Sequence, residues 1–169
     1  NTNLFNCVKD YNRLHQEMST YPTQVVGEDI DPREYEECFK RCQQEVFDPS
    51  FVSPIDGNFD VACKYLYTLT HIFSGGKPGS SKFIYYRGKY RDKFLVFMDK
   101  LKKKEWTSHF DKINQVENLD ACDVIAKYDN ENAFFYIDPP YYNTEGYYSN
   151  HDFGLNDHER LANCMKQMK

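Results

Sequence analysis

The run Phe134-Phe135-Tyr136-Ile137-Asp138-Pro139-Pro140-Tyr141-Tyr142 places the strictest limit on how this chain folds. Four apolar or aromatic residues in succession, all good β-formers, read as a short strand buried on both faces. The strand has to stop at Asp138, because neither Pro139 nor Pro140 has an amide hydrogen to give a sheet ladder. A carboxylate is therefore expected at the carboxyl end of a strand, followed by a stiff turn and an aromatic ring. In open α/β sheets, ligands bind at that end of the strands.

The residue types suit one kind of chemistry. Asp138 offers acceptor oxygens, and the carbonyls of the Pro-Pro turn accept with no neighbouring N–H in competition. Two fixed acceptors can hold both hydrogens of a planar amino group while Tyr141 gives a base a face to stack on. An amine held this way loses conjugation with its ring, and its lone pair becomes available for attack. Positioning alone suffices, without metal, covalent nucleophile or charged base. The plain structural alternative is a turn that ends a core strand, with Asp138 as a cap.

A length of 169 residues fits one domain. The 40% hydrophobic content falls below the usual range and mean hydropathy is −0.78, yet 17% aromatics argue for a folded chain. No apolar run approaches membrane-spanning length and no signal peptide is present, so a cytoplasmic protein is expected. Cys7, Cys38, Cys42, Cys63, Cys122 and Cys164 form no C-x-x-C, and a chain of this size needs no disulfide staples; reduced thiols are expected. The five histidines make no ligand-spaced cluster with them, so no metal site is expected.

Net charge is −5, but its distribution is uneven. Residues 77–104 hold ten Lys or Arg against Asp92 and Asp99, so this block carries +8 and the rest of the chain −13. Such a block can grip phosphate locally. Within it Lys82, Arg87, Lys89 and Arg91 alternate with Tyr85, Tyr86 and Tyr90, a pattern for phosphate contact and groove recognition, or else for a solvated face. Lys102-Lys103-Lys104 reads more simply as helix-end charge, favourable to the dipole.

Apolar spacing predicts helices over 3–18, 32–47, 61–73 and 90–101, with a further short one around Trp106, Phe110 and Ile113. Asp31-Pro32-Arg33-Glu34 is a helix start, and Asp60, Asp120 and Asn156 are placed to cap three others. Residues 83–86 read as a strand or a loop lip, and 116–119 as a second strand. The glycine-rich tract at 74–81 lacks the Gly-Lys-Ser/Thr ending of a phosphate-binding loop. Two strands late in a chain do not make a stable parallel sheet on their own.

Asp138-Pro139-Pro140-Tyr141 behind an apolar strand resembles the catalytic motif of amino-methyltransferases that act on nucleic acid. Motif order makes the chain similar to Dam-like (D12 class, alpha group) DNA adenine methyltransferases over nearly its whole length. Asn1-Thr2-Asn3-Leu4-Phe5 resembles the end of their D-x-N segment. Asp120-Ala121 stands where the family has an Asp-Phe pair near the cofactor's adenine, and residues 147–161 resemble the loop and helix after the catalytic motif.

The resemblance implies an α/β fold, a partial Rossmann-like methyltransferase sheet with a mainly helical target-recognition insertion. Residues 1–18 and 111–169 would belong to the catalytic domain, and 19–110 to the DNA-binding insertion. It implies S-adenosylmethionine as cofactor and double-stranded DNA as partner, with an adenine flipped from the duplex. Asp138, Pro139, Pro140 and Tyr141 would be catalytic. Asp120 and Asp138 would meet the cofactor, and Lys82, Arg87, Lys89 and Arg91 the DNA; Tyr147 and Tyr148 would order over the base or else simply pack on the surface. The F-x-G-x-G cofactor motif is absent and the chain starts at Asn1, so a fragment is expected, completed by a missing segment or a second chain. A DNA-binding remnant without catalysis is the alternative.

Overall fold

The structure, a computed structural model, describes residues 2–25, 31–55, 57–72, 77–85, 91–142 and 153–169. Contacts divide the chain into two compact units, Asn1–Val116 and Glu117–Lys169.

The first unit is built around one helix. α1 (Thr2–Val8), α2 (Tyr11–Met18), α3 (Pro32–Val46), α4 (Phe59–Thr70), α5 (Lys93–Leu101) and α6 (Lys104–Phe110) follow in order. α4 packs against α1, α2, α3 and α5, and α6 against α5. The sequence dictates this centrality. Ala62 and Cys63 are small enough for close helix approach, while Leu66 and Tyr67 fill the space between neighbours; all four are buried. Leu14, Met18, Phe39, Phe94 and Leu101 complete the core from the other helices.

The helix starts obey capping chemistry. Asp31 accepts from the Arg33 amide ahead of Pro32, as its sequence predicts. The expected helix over 3–18 is two helices, because Asp10 turns its carboxylate onto the Arg13 amide at 3.1 Å and starts α2 afresh. α4 is capped by Asn58 rather than Asp60. The shift has a tertiary cause: Asn58 N–H donates to Asn3 Oδ1 (2.6 Å), and Asn3 Nδ2 returns a bond to the Asn58 carbonyl (2.9 Å). Gly57 turns the chain into this clasp at φ +63°, a conformation that favours glycine.

One buried carboxylate joins three segments. Asp92 is 0% exposed and accepts from the amides of Phe94 (2.7 Å) and Gln24 (3.0 Å), with His71 Nε2 at 3.4 Å. It thus caps α5 while holding residue 24 and the residue that ends α4. Burial alone would push this carboxyl up. Bonding and charge from His71 and the two backbone amides outweigh burial and hold it below the usual carboxylate range.

The second unit holds α7 (Ala121–Tyr128) and α8 (Leu155–Met165), packed together with Ile125 and Leu161 buried. Asp120 caps α7 as its sequence predicts. α8 starts earlier than expected: Gly154, not Asn156, is its N-cap, and the Gly154 amide donates to Asp157 Oδ2 at 3.1 Å.

The expected α/β architecture is not found. Among the described residues the chain is all helical, without strand or sheet. Residues 133–140 and 113–118 have no regular secondary structure and pair with no ladder. A strand is stable only through its neighbours, and among the described residues none pairs with 134–137: Phe134 is 91% and Tyr136 83% exposed. Among the described residues no helix is long and apolar enough to cross a membrane.

Removing the Asp92 carboxylate leaves two amides and His71 buried without their partner, so Asp92→Ala should cost about 3–5 kcal/mol, read from the urea midpoint. Its folded pKa is depressed, so the stabilisation is complete above the unfolded value of about 3.9 and fades as pH falls through the folded value. Asp92→Asn should therefore flatten the acid limb of the midpoint-versus-pH curve below about pH 4.

Candidate functional site

The Asp-Pro-Pro-Tyr turn lies in the second unit, between α7 and α8. A tight polar turn leads into it: Asn132 N–H donates to Asn130 Oδ1 (2.9 Å), and Ala133 N–H to the Asn130 carbonyl (2.9 Å). The chain then runs to the prolines without regular secondary structure. Exposure alternates along it, with 134, 136 and 138 outward and 135, 137 and 139 half-buried. Asp138 is exposed and makes no hydrogen bond or ion pair among the described residues. Its carboxylate is not consumed by an interior salt link and keeps its full acceptor capacity. Tyr141 is 69% exposed beyond the half-buried Pro139 and Pro140.

α8 reaches the residue that follows this turn through a ring contact. His158 meets Phe153 edge to face at 4.9 Å and Tyr142 at 6.1 Å between centroids. Its Nε2 is buried with no hydrogen-bond partner among the described residues. The residue after Tyr141 is thereby tied to a helix by ring packing.

Asp120 is differently placed. Its Oδ1 accepts from the Cys122 amide (2.9 Å), and both oxygens take the Arg160 guanidinium, at 2.8 and 2.7 Å. The Arg160 bonds, then that amide, hold the Asp120 carboxyl down to about 2. Arg160 also lies 3.8 Å from Asp157. Sequence reasoning did not find Arg160. The available signal was that it is the single arginine of residues 117–169, on a helix beginning with an acid. An exposed carboxylate bound by one fork still has lone pairs for a further donor.

In the first unit Lys82 is exposed on a segment docked to α3 and α4. Gln43 Nε2 donates to the Ser81 carbonyl (2.9 Å), Ile84 N–H to the His71 carbonyl (2.8 Å), and Phe83 stacks on His71 at 5.6 Å. Arg91 is exposed and ion-paired with Asp99. Arg87, Lys89, Tyr86 and Tyr90 lie outside the described residues, as do Tyr147 and Tyr148. Among the described residues no group of three or more His, Cys, Asp or Glu could hold a metal ion.

Residues 4–169 match the family model of the D12 class N6 adenine-specific DNA methyltransferases. The chain belongs to that family. No curated protein and no solved structure matches it. Adenine methylation of DNA is the family's activity.

The Asp120–Arg160 fork generates a spectroscopic prediction. Arg160→Gln should raise the Asp120 carboxyl from about 2 toward the ordinary carboxylate range, followed by carboxyl-carbon NMR during an acid titration. An unmoved titration would mean that the Cys122 amide alone sets it.

Proposed function

We propose that this D12-family chain takes part in methyl transfer from S-adenosylmethionine to the N6 amino group of an adenine flipped out of duplex DNA. Asp138 and the Pro139 carbonyl would accept the two amino hydrogens and turn the nitrogen's lone pair out of conjugation. Pro140 leaves that carbonyl without a competing N–H and stiffens the backbone behind it. Tyr141 would stack on the purine. The observation that carries this reading is the exposed Asp138 carboxylate, unpaired among the described residues, next to an exposed Tyr141 within a family-matched stretch.

When bound, the cofactor supplies a sulfonium methyl. Asp120 fits a role in holding it, because the Arg160 fork fixes the carboxylate's orientation while leaving acceptor sites and solvent access. Asp138 would face the cofactor as well as the base. Residues 19–110 are assigned to target recognition, with residues 1–18 and 111–169 on the catalytic side. α1 and α2 pack on α4 within the first unit. Lys82, Arg87, Lys89 and Arg91 would meet the duplex; Lys82 rises from a docked segment, which favours positioning over random attachment.

Asp138→Ala should lower methyl transfer at least ~100-fold, measured as tritium moved from labelled cofactor to duplex DNA, with duplex affinity within about threefold. Undiminished transfer would remove Asp138 from the mechanism. Equilibrium binding of S-adenosylmethionine separates catalysis from mere DNA attachment, because a non-catalytic DNA binder should take up none. Arg87→Glu with Lys89→Glu should weaken duplex binding and flatten its salt dependence.

A further inference from the structure

We propose that the corner between α5 and α6 is a second DNA-backbone contact, where Lys102, Lys103 and Lys104 grip duplex phosphates beside Trp106. The proposal rests on the reading that the first unit faces duplex DNA, and adds a surface which that reading does not use.

The corner is firmly mounted. Phe94, Met98 and Leu101 bury one side of α5, and Thr107 is buried on α6. Lys100 Nζ lies 4.0 Å from the Trp106 ring centroid and ties the two helices across the turn. Trp106 remains 43% exposed. The backbone carrying the three lysines is thus set by the core, and a flat apolar ring stands next to them for a sugar edge to lie on.

The charges are placed against helix stability. Lys102 is the C-cap of α5, where a cation is favoured. Lys103 and Lys104 are not helix-end charge in that sense. Lys103 is the N-cap of α6 and has no side-chain bond to its first amides, and Lys104 is its first residue. A lysine has no acceptor to offer an N-cap, and the positive end of the peptide dipoles disfavours it. Acids and hydroxyls are the residues that stabilise such a position.

Nor are these charges neutralised within the fold. All three lysines are exposed, and among the described residues no ion pair or hydrogen bond engages their ammonium groups; Lys103 is bonded only through its backbone, as when its carbonyl accepts from Thr107 Oγ1. Other surface cations do so: Lys40 with Glu36, Lys64 with Asp60, Arg91 with Asp99. Glu105 offsets one charge, which leaves residues 100–105 at +3. Three adjacent like charges, two at the wrong end of a helix, are satisfied by a polyanion from outside. Lysine ammonium groups act as point charges without a planar fork, so they contact phosphate and read no base. The complement is a duplex backbone, the polyanion that the family's substrate presents.

The test uses the full chain and a labelled duplex, with binding followed by fluorescence anisotropy between 50 and 200 mM KCl, on the order of the range where phosphate contacts are resolved. Changing all three lysines to Gln should weaken binding equally for target and scrambled duplexes. The slope of log K against log salt should flatten by about 2–3. Lys103→Asn should supply the missing cap and raise Tm by about 2–4 °C while weakening DNA binding, a divergence that a purely structural lysine would not produce. A folded triple variant with unchanged affinity and slope overturns the proposal, as does an equal loss for single-stranded DNA. If Arg87→Glu with Lys89→Glu flattens the slope and the lysine triple does not, the corner alone is wrong. If neither does, the duplex-facing reading of the first unit falls with it.

Discussion

Asp92 is the carboxylate on which the first unit depends. A buried charge of this kind is tolerable only when donors surround it, and the Phe94 and Gln24 amides with the His71 ring provide them. The consequence reaches the surface in two directions. By capping α5, Asp92 fixes the start of the helix whose other end carries Lys102. By holding His71, it fixes the ring against which Phe83 stacks and the residue whose carbonyl takes the Ile84 amide. Lys82 and the α5–α6 corner, the two places proposed to meet DNA, therefore hang on one interior node.

The second unit is organised on a different physical basis. Its buried apolar residues are few, and its fastening is polar: Arg160 on Asp120, and Lys127 on Glu117 at 2.6 Å. Exposed pairs of this type contribute little to stability; what they supply is orientation. The Asp-Pro-Pro-Tyr turn follows the same logic. Its stiffness comes from two pyrrolidine rings, and its anchoring from Tyr142 and His158, so the motif's local shape does not require a hydrogen-bond ladder.

This distinction explains what could be read from the sequence and what could not. Asp31 and Asp120 were legible as caps because a cap is local: a side chain reaching an amide two residues on. Asn58 displaced Asp60 because Asn3, 55 residues away, clasps it. The His71–Asp92 pair left no trace in spacing, since neither periodicity nor motif connects residues 21 apart. The strand at 134–137 failed for the same reason in reverse. β-propensity describes how a residue packs against neighbouring strands, and a run of Phe, Phe, Tyr and Ile says nothing about whether they are there. The family was legible because Asp-Pro-Pro-Tyr combines a chemical requirement with a backbone one, and residues 4–169 match that family's model.

The two kinds of basic residue in the first unit are not equivalent before a phosphate backbone. Arg91 is engaged by Asp99, so a phosphate has to displace a carboxylate to reach it. Exposed pairs separate at a cost of only about 0–1 kcal/mol. The displaced Asp99 would still remain near the phosphate as a like charge, which subtracts from the gain. Among the described residues Lys103 and Lys104 have no acid to leave, and they stand on a helix end that opposes their charge. If a phosphate docks there, as proposed, it would add attraction and also relieve repulsion present in the free protein. For equal numbers of contacts, such a contact would gain more at the lysine corner than at the paired arginine.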